Sequence, residues 1–438
     1  MWLKNQRFHP LRETLTEEIH ARPFESIQAP MDVFMFVKFT GEAASACEYS
    51  HLVRFCQDHA LVMPKENSKH YTESLKGNRI KWERHGEFTA YNIFIPVGVS
   101  RPFTLSVPEF FSKWIASTEG EILVATHLSI RCESDFNDID TVIESQFSPE
   151  SVASSKVAKG DAQIWTDLRI HEEGMNRILI LSSHLEGWRL GRITQRVLDV
   201  STYRNMALLA LPEAHKASAE ITRLEHRLFS ALDQIQGSDK HRDSKKRADK
   251  SIHSESQTLE EFTDISMHIQ NITAQTKFRF SATDAYFELV KSRLVDLNEV
   301  PVSGYQTIGE FLKRRMWPAM RTCYSVNKRL EELADQTSKS VDLLQTRLNL
   351  IVENQNNQLL EAMNKRAQTQ LRMQETVEGL SIAAITYYLV GLTGYLIKSV
   401  HKLYPTLNLD AAIGISVIPV GLLVWLGVMK LKKRALGT

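Results

Sequence analysis

The chain has 438 residues, 43% hydrophobic and 24% charged, with 53 Lys and Arg against 52 Asp and Glu for a net charge of +1. That length exceeds one ordinary hydrophobic core, so two or three domains are expected. The balanced charge excludes a global bias toward nucleic acid or acidic partners, and the four scattered cysteines, Cys47, Cys56, Cys132 and Cys323, have no zinc-type spacing and read as reduced thiols.

In chain order, the opening MWLKNQRFHPLRETL lacks the apolar run of a secretory signal. The segment 20-HARPF-24 follows an amphipathic helical run. Pro23 pushes Arg22 out of helical geometry, so the simplest reading is a helix terminator with His20 at the negative helix end. Functionally, His20 and Arg22, beside Pro23 and Phe24, are candidates for binding an anion or for joining His85 in one site.

Residues 1–211 alternate β-type runs with amphipathic helices and predict an N-terminal cytoplasmic α/β domain. Strands are expected at 31–39, 79–84, 88–96, 121–130, 162–170 and 176–184, and helices at 42–59, 107–117 and 187–211, the last stopped by Pro212. Within it, 83-ERHGEF-88 offers Glu83, His85 and Glu87 at alternate positions, which on one strand would share a face and supply nitrogen and oxygen ligands. A two-residue hairpin turn at His85-Gly86 with positive φ is the preferred reading, and it breaks that shared face. No phosphate cradle, nucleophile elbow or paired-His helix motif is present. The chain is therefore expected not to be an enzyme and to use no cofactor or metal.

Residues 212–379 predict a helical, coiled-coil stalk. A flexible linker is expected at 237–256, where GSDKHRDSKKRADKSIHSES reads as a solvated connector rather than a basic patch for lipid or RNA. One long helix covers 257–297 and ends in a turn from Asn298 to Gly304, so that it folds back antiparallel on a second, very long helix from about Pro318 to Ile397. Leu330, Leu333, Val341, Leu344, Leu348, Ile351, Leu359 and Met363 form a seam at spacings of three and four, interrupted by Thr337 and Gln355. A helix of about 80 residues would extend on the order of 120 Å, so packing against copies of itself is expected.

Leu380 to Ile397 and Ala411 to Met429 are 18 and 19 residues without a charge. Each is about the length that crosses a bilayer as a helix. Residues 380–429 thus read as a two-helix transmembrane region and 430–438 as a basic cytoplasmic tail. Lys365, Arg366 and Arg372 precede the first span and Lys430, Lys432, Lys433 and Arg434 follow the second, against Lys398 and Lys402 between them. That asymmetry predicts both termini in the cytoplasm.

The motifs HARPF, ERHGEF, TYRNMALLALP and VEGLSIAAITYYLVGLTGYL together resemble a bacterial family of membrane-anchored proteins of unknown function. The resemblance implies a multi-pass protein of the bacterial inner membrane. More distantly, an α/β domain, a long helix entering the first span, a short outer loop and a second span resemble the CorA-type divalent-cation channels. That resemblance implies a pentamer with the first span lining a pore, with Ser381, Thr386, Thr393, Gly394 and Tyr395 as pore-lining candidates. Gly394-Tyr395-Leu396 stands where that family has Gly-Met-Asn and lacks the amide, and Lys398 and Lys402 place positive charge where a cation channel benefits from negative charge.

The fold class expected is thus an α+β membrane protein, with an N-terminal α/β domain, a long antiparallel helical stalk and two C-terminal transmembrane helices. The leading functional expectation is a membrane-anchored homo-oligomer whose α/β domain binds a protein partner or small ligand, with nucleic acid disfavoured.

Overall fold

The computed structural model describes residues 8–13, 15–16, 23–41, 45–66, 68–239, 248–401 and 409–435. It is a mixed α/β structure with an N-terminal sheet and long apolar helices at the C-terminal end. Two compact units divide it: Met1–His241 with Glu260–Ser340, and Arg242–Leu259 with Val341–Thr438. Much of the helical half, Glu260–Ser340, belongs to the same unit as the sheet.

In the first unit the strands are β1 (Met31–Phe39), β2 (His70–Leu75), β3 (Asn78–Arg84), β4 (Phe88–Pro96), β5 (Glu121–Cys132), β6 (Ala153–Val157), β7 (Ala162–Ile170), β8 (Asn176–Ser182) and β9 (Val300–Pro301). Among the described residues, the longer helices are α1 (Ser45–Asp58), α2 (Glu109–Ser117), α3 (Ile139–Gln146), α4 (Gly187–Leu208), α5 (Ala210–Asp239), α6 (Ala248–Leu297), α7 (Ile308–His401) and α8 (Leu409–Ala435). The strands form one sheet in the order β2-β3-β4-β1-β5-β8-β7-β6-β9, antiparallel except between β5 and β8.

Helices cover both faces. On one, Leu52 and Phe55 of α1 and Phe111, Trp114 and Ile115 of α2 close over Phe34, Ile80, Trp82, Tyr91 and Ile93. On the other, Leu190, Ile193 and Val197 of α4 and Phe311 and Leu312 of α7 join Val33, Met35, Phe88, Leu128 and Ile180. Strands covered on both faces lose clean alternation and become continuous apolar runs, which is why β4 and β8 are buried at nearly every position.

The expected strands are all present, and β2, β6 and β9 are additions. The turn expected from Asn298 to Gly304 contains β9, which pairs with β6 and closes the sheet edge. The helix expected to stop at Pro212 is interrupted at Leu209 instead. Pro212 lies in the first turn of α5, where its missing N–H has no intrahelical acceptor to lose. Likewise α7 starts at Ile308, ten residues before Pro318, which it contains. The flexible linker expected at 237–256 is helical at both ends, since α5 reaches Asp239 and α6 starts at Ala248; 240–247 lie outside the described residues.

Charged pairs fix the helices to one another. Arg227 of α5 donates to Glu261 and Asp264 of α6, each at 2.7 Å, and Arg329 of α7 bridges to Glu225 of α5 at 2.7 Å. The Phe287 and Trp317 rings meet edge to face at 4.8 Å.

In the second unit, Arg347 of α7 pairs with Glu255 of α6 at 3.0 Å and Leu344 is buried. From Val352 to Val377 every residue of α7 is exposed. The expected seam is therefore covered at Leu330, Leu333 and Leu344 and uncovered at Leu359 and Met363, which are 61% and 56% exposed. Beyond it, the end of α7 packs on α8: a Cβ at Gly394 would sit 3.8 Å from Ile413, and one at Gly421 would sit 3.6 Å from Thr386. Both helices contain a segment long and apolar enough to cross a membrane, and only 6% of either segment is buried.

Candidate functional site

The polar groups of the sheet's inner face converge under α4. Strand register places Lys81 opposite Asn92 and Glu83 opposite Ala90 on β3 and β4, with Met35 of β1 opposite Asn92. Because side chains alternate across a strand, Lys81, Glu83, Ala90 and Asn92 share the face that α4 covers. From above, α4 presents Gln195, Asp199, Thr202 and Tyr203, spaced to lie on one side of a helix. Together with Arg293 of α6 these residues line a cavity of about 240 Å³.

The segment after HARP reaches this cavity because two glycines let it approach α4. Ile27 exchanges backbone hydrogen bonds with Gly187 at 3.2 and 2.7 Å. A Cβ at Gly191 would lie 1.7 Å from the Glu25 carbonyl oxygen, so only glycine permits that contact. Phe24 is thereby held at the cavity, beside Glu83 and His85.

Charge in the cavity is organised as pairs. Lys81 Nζ lies 3.1 Å from both Glu83 Oε1 and Gln195 Oε1. Gln195 Nε2 donates to Asp199 Oδ1 at 2.8 Å, and Arg293 Nε donates to Asp199 Oδ2 at 2.7 Å. Burial pushes the Asp199 carboxyl up from its ordinary value, opposed by the hydrogen bonds from Gln195 and Arg293. Glu25, 2.7 Å from Arg79, is also raised by burial. Asn92 is 3% exposed, and its Oδ1 has no hydrogen-bond partner among the described residues. A buried amide oxygen without a partner is costly, and it belongs to a residue that lines this polar cavity.

The predicted residues separate into those the fold gathers and those it does not. Phe24, Glu83 and His85 line the cavity. Pro23 is exposed beside it, and His20 and Arg22 lie outside the described residues. The turn expected at His85-Gly86 is centred one residue later: His85 N donates to Phe88 O at 2.8 Å, leaving Gly86-Glu87 as the two-residue loop, and Gly86 does not take a positive φ. The shared face of Glu83, His85 and Glu87 is lost as expected. Glu83 points inward to Lys81, the His85 ring stacks on Phe88 at 4.2 Å, and Glu87 turns to α6, where Arg279 and Tyr286 donate to its carboxylate. Among the described residues no group of three His, Cys, Asp or Glu is placed to hold a metal ion.

Sequence reasoning missed Asn92, Gln195, Asp199, Thr202 and Arg293. One signal was available for the α4 residues: Gln195, Asp199 and Thr202 recur at spacings of four and three in a helix that otherwise carries apolar residues toward the sheet. Asn92 and Arg293 gave none, because only register and the return of α6 bring them there.

The hydroxyls expected along a pore each donate to a carbonyl of their own helix. Ser381 Oγ donates to Val377 O at 2.8 Å, Thr386 Oγ1 to Ile382 O at 2.7 Å, and Thr393 Oγ1 to Leu389 O. Gly394 faces Ile413, and Tyr395 is 72% exposed.

A family model described as a protein of unknown function (DUF3422) matches residues 7–435, and the chain belongs to that family. No curated protein and no solved structure matches it.

Proposed function

We propose that this member of the DUF3422 family is a membrane-anchored binding module: the apolar ends of α7 and α8 cross the bacterial inner membrane, and the sheet domain recognises a small polar ligand or a protein partner on its cytoplasmic side. The observation that carries the reading is the exposure of both apolar segments, of which only 6% is buried. A core hairpin of a water-soluble fold would bury both on all sides, whereas Leu389, Leu392, Leu396, Ile418 and Leu423 stand open as lipid-facing residues do. Asn92 and the paired charges around it supply the recognition chemistry. We read the chain as a binding protein rather than an enzyme.

The Lys and Arg distribution sets the topology to be tested. A reporter fused after Thr438 is expected in the cytoplasm and one inserted at Pro405 on the far side of the membrane. A cytoplasmic Pro405 reporter rules out two complete spans.

Self-association follows from the uncovered stretch of α7. Leu359, Leu360, Met363, Leu371 and Met373 are each more than half exposed on a helix that lies outside the bilayer in this reading. Replacing Leu359, Met363 and Leu371 with Ser is expected to convert the solubilised oligomer to smaller species, read as mass by light scattering. An unchanged mass removes the self-associating stalk. The rival reading, a CorA-like ion channel, uses the same two helices but needs polar groups free to meet an ion. Ser381, Thr386 and Thr393 each donate to a carbonyl of their own helix, the usual state of hydroxyls in a spanning helix, and the lone pairs that a cation would need remain on the oxygens.

A further inference from the structure

A second cavity, of about 430 Å³, opens on the first unit where β7 breaks its pairing with β8. The register shifts between Thr166 and Ile170, and Leu168 takes a φ of 56°, a left-handed conformation that a leucine adopts only when its surroundings impose it. This bulge, Asn176 of β8, Arg204 of α4 and the first turns of α7 line the space.

Arg204 is the anomaly. It is 8% exposed, and among the described residues its guanidinium makes no hydrogen bond and no ion pair. Burial, with no carboxylate to offset it, pushes its pKa down to about 10. The residue is buried, but its guanidinium nitrogens open onto the cavity, so its donors are left for whatever occupies that space.

The rest of the lining has the same sign. Arg315 of α7 stacks on Phe311 with its guanidinium carbon 4.4 Å from the ring centre and has no ion pair among the described residues. The acid at this site, Asp167, is already satisfied, because it accepts from Ser148 N at 3.0 Å, Arg169 N at 3.1 Å and His171 Nε2 at 3.1 Å. Around these groups the wall is apolar, with Leu123, Leu168, Leu208, Leu312 and Met316.

We propose that this cavity binds an organic oxyanion, a carboxylate or phosphate carried on an apolar body, with the oxyanion on Arg204 and Arg315 and the apolar body against Leu208, Leu312 and Met316. Two guanidinium groups on one cavity lining, Arg204 buried and Arg315 exposed, offer planar donor forks that suit a carboxylate or phosphate. The apolar wall selects an anion that carries carbon over a fully hydrated inorganic one. Arg204 lies within the TYRNMALLALP stretch, to which the membrane reading gives no role, and the site does not depend on that reading.

The test uses the full chain in nanodiscs of zwitterionic lipid, titrated calorimetrically with phenyl phosphate, inorganic phosphate and benzyl alcohol. Phenyl phosphate is expected to saturate, inorganic phosphate to bind at least roughly tenfold more weakly, and the neutral alcohol not to compete. Arg204→Met is expected to weaken phenyl phosphate by roughly a hundredfold and to melt no lower than wild type without ligand, because it removes an unpaired buried charge. The exposed Arg315→Gln is expected to lose roughly tenfold, and it carries the test if Arg204→Met does not fold. In nanodiscs of anionic lipid, undiminished affinity assigns a soluble anion, and competitive loss assigns a lipid headgroup presenting the same oxyanion. Failure of phenyl phosphate to saturate wild type at millimolar concentration overturns the proposal, as does unchanged affinity in Arg315→Gln.

Discussion

Replacing Glu87 with alanine is expected to destabilise the sheet-bearing unit by about 3–5 kcal/mol, the cost of leaving one member of a buried ion pair without the other. The Glu87 and Arg279 side chains are only 6% and 11% exposed, and the guanidinium donates directly to the carboxylate while Tyr286 Oη donates to it at 3.0 Å. The same residue anchors the loop through its backbone, since Glu87 O accepts from Thr40 N at 2.9 Å and from Gly41 N at 3.1 Å. Alanine keeps those backbone contacts and removes only the latch to α6. Arg279 is then stranded beside the faces of Phe39 and Phe278, which are poor substitutes for a carboxylate in a dry site. The double replacement Glu87→Ala with Arg279→Met is expected to recover most of the loss, because it removes the orphaned charge. The measurement is the urea midpoint of the tryptophan fluorescence transition in the four members of the cycle. A Glu87→Ala loss below about 1 kcal/mol would show that the pair is solvated and that ERHGEF is held by its turn alone.

That latch also explains how far the site was legible in the sequence. β1, β4 and β7 appear at their expected bounds because each is a run of β-branched and aromatic residues with clear punctuation on both sides. β2 and β6, read from HYTESL and ASSKV, carry too little apolar character to stand out, and β9 is two residues long and exists only by pairing with β6. Glu83, His85 and Glu87 looked like one set because they alternate, but alternation is informative only while the strand continues. The chain turns at Gly86-Glu87, so Glu83 faces Lys81 under α4 and Glu87 is released toward α6. Arg204 was hidden for the opposite reason. In a helical stretch an arginine reads as a solvated residue, and nothing local to TYRNMALLALP tells that the bulge in β7 and the start of α7 will bury it. The long seam of α7 shows the same limit: spacing identifies an apolar face, but only the end of its neighbour decides where cover stops, so Leu344 is buried and Leu359 is open.

On the opposite face of the sheet, Glu48→Gln is expected to stabilise the protein by about 3 kcal/mol at pH 8 and to change little below pH 4.5. Glu48 of α1 is 1% exposed, and neither carboxylate oxygen has a hydrogen-bond partner among the described residues. The nearest compensating charge, Lys38, spends its donors elsewhere, on Ile115 O at 3.1 Å, on Thr118 Oγ1 at 3.1 Å and on Thr118 O. Burial therefore pushes Glu48 up to about 7, against the attraction of Lys38 and Arg84. The folded state then holds a proton that the unfolded chain releases near pH 4.5, so between pH 4.5 and 7 the native state binds more protons and stability falls as pH rises. Below that window both states are protonated and the penalty vanishes; above it both are ionised and the penalty is complete. Glutamine mimics the protonated acid at every pH and removes this slope. Trp82 and Trp114, buried in the same apolar cluster, report unfolding of this face directly. The difference in unfolding free energy between Glu48→Gln and wild type should therefore grow from near zero at pH 4.5 to its full value above pH 7. Parallel pH profiles for the two proteins would mean that Glu48 is ionised in the fold throughout, with water or Lys38 supplying the partners that its oxygens lack.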